Sequence, residues 1–150
     1  MLFRSLTTWA TAPVPFPPND TCASPRVLDF TGTSSARFIV DTSEAENDTK
    51  GTCSTTSGRG RETVYSFTLT STRTATITSE SADGGDAVDP VIYLRKGGCF
   101  ADAGEVSCVD DYLQPEVMIN TLGPGQYFLF VDSYSSSSAG PTLVTVTLSP

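Results

Sequence analysis

The chain has 150 residues, 17% of them charged, a formal net charge of -8 and no histidine. This length is typical of one domain that buries its own core. The negative charge argues against binding to nucleic acid or anionic lipid, and the sequence has no run of 18 apolar residues that would predict a transmembrane helix. Abundant Ser, Thr and Gly favour strands over helices.

Residues 1–18 form the first predicted segment, and they include Pro13, Pro15, Pro17 and Pro18. Closely spaced prolines are typical of an extended, semi-rigid linker, which would join the domain to an upstream domain of the same parent protein. The alternative interpretation is a truncated or artefactual N-terminus, because the apolar core of a signal peptide is missing after Arg4. Residues 19–150 are predicted to be the folded domain.

Nine segments of this domain alternate in hydrophobicity or lie between turn residues, as strands do. The predicted strands are Arg26–Phe30, Ala36–Asp41, Glu62–Thr70, Arg73–Ser79, Val91–Lys96, Glu105–Asp110, Glu116–Asn120, Gln126–Asp132 and Thr142–Leu148. Turn residues recur about every 8–12 positions, a pattern typical of an all-β, antiparallel sandwich. We therefore predict a jelly-roll-like β-sandwich of about eight or nine strands, in which Glu62–Thr70 and Arg73–Ser79 form a hairpin.

The strand Gln126–Asp132 is apolar on both faces. Phe128 and Phe130 lie on one face, and Tyr127, Leu129 and Val131 lie on the other. One of these faces would be an exposed binding platform, or the strand would be central and covered by a loop. The sequence leaves both explanations open.

Four cysteines, Cys22, Cys53, Cys99 and Cys108, predict two disulfides. Their spacing favours sequential pairing, Cys22 with Cys53 and Cys99 with Cys108. A zinc site is disfavoured, because Cys-x-x-Cys and histidine are both absent. Disulfides indicate an oxidising compartment and thus a secreted or cell-surface protein, extracellular or periplasmic; four free thiols in a reducing cytosol are the alternative.

Acidic residues are predicted to meet at one end of the hairpin formed by Val91–Lys96 and Glu105–Asp110. Antiparallel pairing places Asp89 beside Asp110 and Asp111, and the strand that begins at Gln126 delivers Asp132 to the same end. Converging carboxylates repel one another unless a hard cation such as calcium, or hydrogen-bond donors, neutralise them. The sequence therefore predicts a calcium site, with turn-capping and loop hydrogen bonds as the alternative role of these aspartates.

The sequence gives little support for an enzymatic function, because the absence of histidine excludes Ser-His-Asp and Cys-His catalytic arrangements. The remote alternative is a carboxylate-dependent hydrolase in which Asp110 or Asp111 faces Asp132. Tyr112 and Tyr134, in loops near the acidic end, are the candidate residues for contact with a ligand.

Five motifs follow one another in the domain: VYSFTLT, DPVIYLR, a cysteine-flanked loop ending in CVDD, LGPGQYFLFVDSYSSSSAG and the final TLVTVTL. Their order and spacing resemble the bacterial pre-peptidase C-terminal domain and, more distantly, the collagen-binding domains of secreted collagenases. The resemblance implies a non-catalytic accessory or binding domain of a secreted or cell-surface bacterial protein, often one that binds calcium. Its partner would be an extracellular protein or polysaccharide. A purely structural or adhesive surface module is the alternative.

Overall fold

The computed structural model describes residues 17–54, 60–100, 104–112 and 114–150, so residues 1–16 of the predicted linker lie outside the described residues. Nine strands and no helix occur within these ranges. The strands are β1 (Arg26–Val27), β2 (Ser35–Asp41), β3 (Thr63–Leu69), β4 (Arg73–Ser81), β5 (Pro90–Lys96), β6 (Glu105–Val109), β7 (Glu116–Leu122), β8 (Gly125–Ser133) and β9 (Pro141–Ser149). In this part of the chain, no helix is long and apolar enough to cross a membrane.

Two sheets make up the sandwich. The five-stranded sheet has the order β1-β3-β8-β5-β6, and the four-stranded sheet has the order β2-β9-β4-β7. Pairing is antiparallel throughout, except that the short β1 adds to β3 in parallel. Without β1, the eight remaining strands form the sheets β3-β8-β5-β6 and β2-β9-β4-β7, and consecutive strands change sheet except at the β5–β6 hairpin, as in a jelly roll. The predicted fold class is therefore confirmed.

The predicted hairpin between the third and fourth strands is wrong. β3 belongs to the five-stranded sheet and β4 to the four-stranded sheet, so the chain crosses between the sheets at Ser71 and Thr72. Both strands do carry an inward apolar row, which includes Phe67 in β3 and Ile77 in β4. Alternation reports which face of a strand is buried, and it does not distinguish a neighbour in the same sheet from a partner across the core.

The main core lies between the two sheets. Tyr65, Phe67 and Leu69 of β3 point into it, as the alternation of that strand predicts. The Phe67 ring stacks on the Tyr127 ring with centroids 5.4 Å apart, and the Tyr127 hydroxyl donates to the carbonyl of Gly123 at 2.7 Å. The large aromatic side chains of β3 and β8 therefore fill this layer, and the Tyr127 hydroxyl has its hydrogen bond satisfied.

A second apolar cluster covers the outer face of the five-stranded sheet. Its buried members are Val64, Val91, Tyr93, Cys99, Phe128 and Phe130. β8 lies between β3 and β5, and Phe128 and Phe130 are only 8% and 0% exposed. The explanation of a covered central strand is thus correct for β8, and its second apolar face is not an exposed platform.

Candidate functional site

Two disulfides tie loops onto the outer face of the five-stranded sheet. They join Cys22 to Cys99 and Cys53 to Cys108, so the prediction of two disulfides is confirmed and the sequential pairing is wrong. All four cysteines pack in or against the outer apolar cluster. Cys108 lies opposite Tyr93 in the β5–β6 ladder. The loop residues Gly51 and Cys53 approach the sulfur of Cys108. Spacing along the chain carries no information about which loop crosses that face.

Arg95 lies beneath these loops and is fully buried. It is on the outer face of β5, where its guanidinium carbon lies 4.6 Å from the Phe130 ring centroid and 5.2 Å from that of Tyr93. Such cation–π contacts gain strength when they are desolvated. The guanidinium also donates to Cys99 O at 2.8 Å, Thr49 Oγ1 at 3.0 Å and Lys50 O at 3.0 Å. One side chain thus joins the sheet to two separate loops.

Glu62, immediately before β3, is a second fully buried ionisable residue. Its Oε1 accepts hydrogen bonds from the backbone N–H groups of Asp48 and Thr49, each at 2.6 Å. Its Oε2 is buried and has no hydrogen-bond partner among the described residues. Burial, with a smaller contribution from the nearby charge of Asp132, raises the pKa of Glu62 to about 8.

A cavity of about 470 Å³ lies between the loops and this face of the sheet. Six of the residues that line it are Thr21, Asp48, Glu62, Arg95, Phe100 and Phe130. Phe100 is 75% exposed, whereas Glu62 and Arg95 are 0% exposed. The cavity therefore has an aromatic side chain open to solvent and two buried ionisable side chains, Glu62 and Arg95, in its inner wall.

A larger cavity of about 530 Å³ lies at one end of the sandwich, between Phe30 and Arg73. None of the polar side chains that line it is buried. Buried polar groups that converge on a concave surface distinguish a binding site from an ordinary surface depression. The cavity beside Glu62 is therefore the candidate site.

Three carboxylates meet beside this cavity. Asp20, Glu46 and Asp48 offer ligand atoms that all lie within 4.8 Å of one another, and no other set of three does so in the described parts of the chain. Two oxygens that bind one calcium ion at about 2.4 Å are at most about 4.8 Å apart, so this spacing fits calcium. The Glu46 N–H donates to Asp20 Oδ1 at 2.8 Å, which fixes the loop against the N-terminal segment.

Sequence reasoning missed this acidic group. Glu46 and Asp48 lie in the long polar loop before β3, where acidic residues ordinarily keep a loop soluble, and Asp20 is 26 residues from Glu46. The alternate spacing of Glu46 and Asp48 was the only local signal. It is weak, because the third carboxylate comes from another segment.

The predicted calcium ligands Asp89, Asp110, Asp111 and Asp132 lie near one end of the five-stranded sheet. Asp132 pairs with Val91 in the β5–β8 ladder. Burial first, then the charges of Asp89 and Asp111, raise the pKa of Asp110. No three of these aspartates have ligand atoms within 4.8 Å of one another in the described chain, because only the Asp20 group meets that spacing. A metal site among them stays a prediction.

Asp132 is the most buried of the four, at 2% exposed. Burial raises its pKa to about 7, the nearby Asp110 adds to the shift, and the hydrogen bond from the Ser133 N–H, 2.7 Å long, opposes it. Glu116 has its pKa raised to about 7 as well, mainly by burial, and it accepts the N–H of Asp111 at 2.8 Å. The hydrolase alternative needs Asp132 in a cleft, and its burial disfavours that role.

The two predicted contact tyrosines differ in exposure. Tyr112 is 98% exposed. Tyr134 is half-buried, packs against the outer apolar cluster and donates its N–H to the carbonyl of Asp89 at 2.8 Å. Ligand contact at either residue stays a prediction, and only Tyr112 offers most of its ring to solvent.

No family model matches the sequence, and no curated protein matches it. Nine chains among the solved structures match, and two of them are described here. One is the pre-peptidase C-terminal domain of collagenase from Bacillus anthracis, with 12% identity, a TM-score of 0.48 and coverage of 76% of this chain and 88% of that chain. The other is CBM35 from Cellvibrio japonicus, with 16% identity, a TM-score of 0.39 and coverage of 75% and 93%. The first represents the family that the sequence motifs resemble, and neither likeness assigns a ligand or an activity.

Proposed function

We propose that this chain is a non-catalytic accessory domain of an exported or cell-surface protein and that calcium stabilises it. The observation that carries the proposal is the meeting of Asp20, Glu46 and Asp48 within 4.8 Å. Asp20 follows the N-terminal segment, and the two other carboxylates belong to the loop before β3. An ion held by all three would fix the start of the domain to its longest loop, with water completing the six to eight oxygens that calcium prefers.

The proposed location in an oxidising compartment is supported by the two disulfides, which reducing conditions would not maintain. Calcium sites of extracellular modules have dissociation constants of about 10⁻⁴ to 10⁻³ M, which suits a compartment where calcium is plentiful. The domain then acts by binding or spacing, and the chemistry belongs to another part of its parent protein.

Thermal unfolding in calcium and in a chelator tests the proposal. At a calcium concentration about 100 times the dissociation constant, binding stabilises the folded state by about 2.7 kcal/mol. For a domain of this size that corresponds to a rise in Tm of roughly 5–10 °C. Asp48→Asn should abolish most of the rise, because it removes one exposed ligand.

The matched control is Asp110→Asn, which removes one predicted ligand of the other acidic group. If Asp110→Asn abolishes the calcium-dependent rise in Tm and Asp48→Asn keeps it, the calcium site lies at the group formed by Asp89, Asp110, Asp111 and Asp132. An equal Tm in calcium and in chelator for the unaltered protein would remove calcium from the proposal. A purely structural surface module would then be the better description.

A further inference from the structure

Ser81, the last residue of β4, is buried and makes two different polar contacts. Its Oγ donates to Asp83 Oδ1 at 2.6 Å. Its backbone N–H donates to the side-chain carbonyl oxygen Oε1 of Gln114, also at 2.6 Å. A hydroxyl group bound to a carboxylate, beside a carboxamide, brings together a nucleophile, a base and an acyl group.

The register of β4 and β7 brings Ser81 and Gln114 together. Ser79 lies opposite Glu116 in this antiparallel ladder. Two residues further along β4 and two residues back from Glu116, the same register places Ser81 beside Gln114. The contact therefore follows from the strand pairing, although the two residues are 33 positions apart in the sequence.

We propose that Ser81 Oγ attacks the side-chain carbonyl carbon of Gln114 and forms an intramolecular ester bond, with Asp83 as the general base. The Oγ–Cδ bond forms and the Cδ–Nε2 bond breaks, so ammonia leaves. Asp83 takes the hydroxyl proton and returns it to the departing nitrogen, which regenerates the carboxylate without any oxidant or reductant. This inference goes beyond the calcium proposal, since these three residues belong neither to the clustered carboxylates nor to the candidate cavity.

Asp83 is suited to the role of base because it is ionised at neutral pH. Hydrogen bonds from the Ser81 hydroxyl and from the Gly85 N–H lower the pKa of Asp83. An ionised carboxylate only accepts hydrogen bonds, so the Ser81 proton points towards it and the lone pairs of Oγ stay free. A carboxylate with a low pKa is a weak base, but each molecule reacts only once and does not need the rate of an enzyme.

The carboxamide of Gln114 is held at both ends. Its Oε1 accepts the Ser81 N–H, and its Nε2 donates to the carbonyl of Val88. One donor and one acceptor as partners fix which end of the amide is the oxygen. When Oγ adds to Cδ, negative charge develops on Oε1, where the Ser81 N–H already lies. Serine proteases use the N–H of their nucleophilic serine in the same way.

The burial of this group protects the bond once it has formed. Ser81 is 3% exposed, whereas Gln114 is half-buried and Asp83 is exposed. Water therefore has little access to the ester oxygen, while ammonia has a short path to solvent past Asp83. Because the released ammonia is diluted, the reverse reaction does not compete.

Mass spectrometry of the whole disulfide-bonded chain tests the proposal. We expect most molecules to be lighter than the sequence requires by the mass of one ammonia molecule. After reduction, a tryptic digest should contain residues 74–95 joined to residues 97–150, and hydroxylamine, which cleaves esters and spares amides, should separate them. Ser81→Ala should restore the full mass. Asp83→Asn should slow the loss of ammonia by about a hundredfold or more, the usual contribution of a general base.

Ser43→Ala is the matched control. Ser43 Oγ also donates to an aspartate two residues away, Asp41 Oδ1, at 2.6 Å, but its N–H donates to that same oxygen and not to a carboxamide. This variant should lose ammonia as the unaltered protein does. The full mass in the unaltered protein after prolonged incubation at neutral pH would overturn the proposal, and so would a loss of ammonia that persists in Ser81→Ala. Neither result bears on the calcium-dependent change in Tm, so the two proposals fail separately.

Discussion

The two outer faces of the sandwich have opposite character. The outer face of the five-stranded sheet carries Tyr93, Arg95, Phe128 and Phe130, all buried beneath loops. The outer face of the four-stranded sheet is mostly threonine in its two central strands, with Thr74, Thr76 and Thr78 in β4 and Thr145 and Thr147 in β9. These threonines are half-buried or exposed, and the exposed Ile39, Val117 and Ile119 lie on the edge strands of the same sheet.

This difference shows where the chain concentrates its special chemistry. Threonine suits a solvated strand face, so the four-stranded sheet needs no cover. The aromatic face needs one, and the loops that provide it are attached by two disulfides and by Arg95. The same loops lie beside the buried Glu62 and the candidate cavity. They also lie beside the three clustered carboxylates of Asp20, Glu46 and Asp48.

Removing the disulfides should have the largest effect, because they hold only the covered face. The bridges span sequence separations of 77 and 55 residues. In the chain-entropy description, loops of this length stabilise the fold by about 4 kcal/mol each. We expect Cys22→Ser with Cys99→Ser to lower the free energy of unfolding in urea by about that amount. An unfolding free energy that stays the same after full reduction, with four thiols counted by mass spectrometry, would show that the cover holds without them.

Much of the fold was predictable because strand alternation is local. The predicted Arg73–Ser79 and Gln126–Asp132 differ from β4 and β8 only at their ends. The disulfide partners that attach the loops to the outer face of the five-stranded sheet were not predictable in the same way. Cys22 pairs with Cys99, 77 residues away, only because both the N-terminal segment and the β5–β6 loop lie over one face. A pattern along the chain does not record that path.

The candidate site was less predictable than the fold. Glu62 stood at the edge of a predicted strand, where a carboxylate is ordinarily solvated, and its burial depends on the loop that donates two N–H groups to it. Phe100 looked like an ordinary loop residue. The sequence did place Asp110 and Asp132 near the same end of the sheet, where the charge of Asp110 contributes to the raised pKa of Asp132. Antiparallel register gives that proximity, but it does not give the orientation of the carboxyl groups.

Arg95→Met should lower the free energy of unfolding by less than the loss of a disulfide does. Methionine keeps an apolar stem of similar length and removes the cost of burying a charge. Three acceptors lose their donor, however, at Cys99, Lys50 and Thr49. Since hydrogen bonds from a charged group contribute about 1.5–3 kcal/mol each, we expect a net loss of about 2 kcal/mol in urea unfolding.

The matched substitution on the other side is Arg37→Met, because Arg37 is exposed on β2 of the four-stranded sheet. Substitution of an exposed residue of this kind changes the free energy of unfolding by less than about 0.5 kcal/mol. Equal losses for the two variants would mean that Arg95 does not hold the cover in place.

The pH dependence of stability should also come from the covered face. Folding raises the pKa of Glu62 from 4.5 to about 8 and that of Asp132 from 3.8 to about 7. The folded state therefore binds more protons than the unfolded state between about pH 4 and pH 8, so the free energy of unfolding falls as the pH rises through this window. Each group contributes a slope of at most about 1.4 kcal/mol per pH unit.

With a chelator present to remove calcium, the free energy of unfolding of Glu62→Gln should fall less steeply with rising pH than that of the unaltered protein, since Gln cannot ionise. The control is Asp29→Asn: a hydrogen bond from Thr31 lowers the pKa of this exposed aspartate, so the variant should change the profile only in the acid range. Urea unfolding from pH 4 to pH 9 measures both. A profile of the Glu62 variant that runs parallel to that of the unaltered protein would show that Glu62 is not the buried acid responsible.

A charged residue introduced on the outer face of the four-stranded sheet should have the smallest effect on the free energy of unfolding. Thr147 is exposed on the central strand β9 of the four-stranded sheet, opposite Ser35 on one side and Thr76 on the other. Lysine at this position extends into solvent, so we expect Thr147→Lys to change the free energy of unfolding by less than about 0.5 kcal/mol and to leave the proposed calcium binding unchanged. A large loss of stability, measured in the same urea titration, would mean that this face is covered in solution, for example by a second copy. Concentration-dependent sedimentation would identify that copy and would remove the contrast between the two faces.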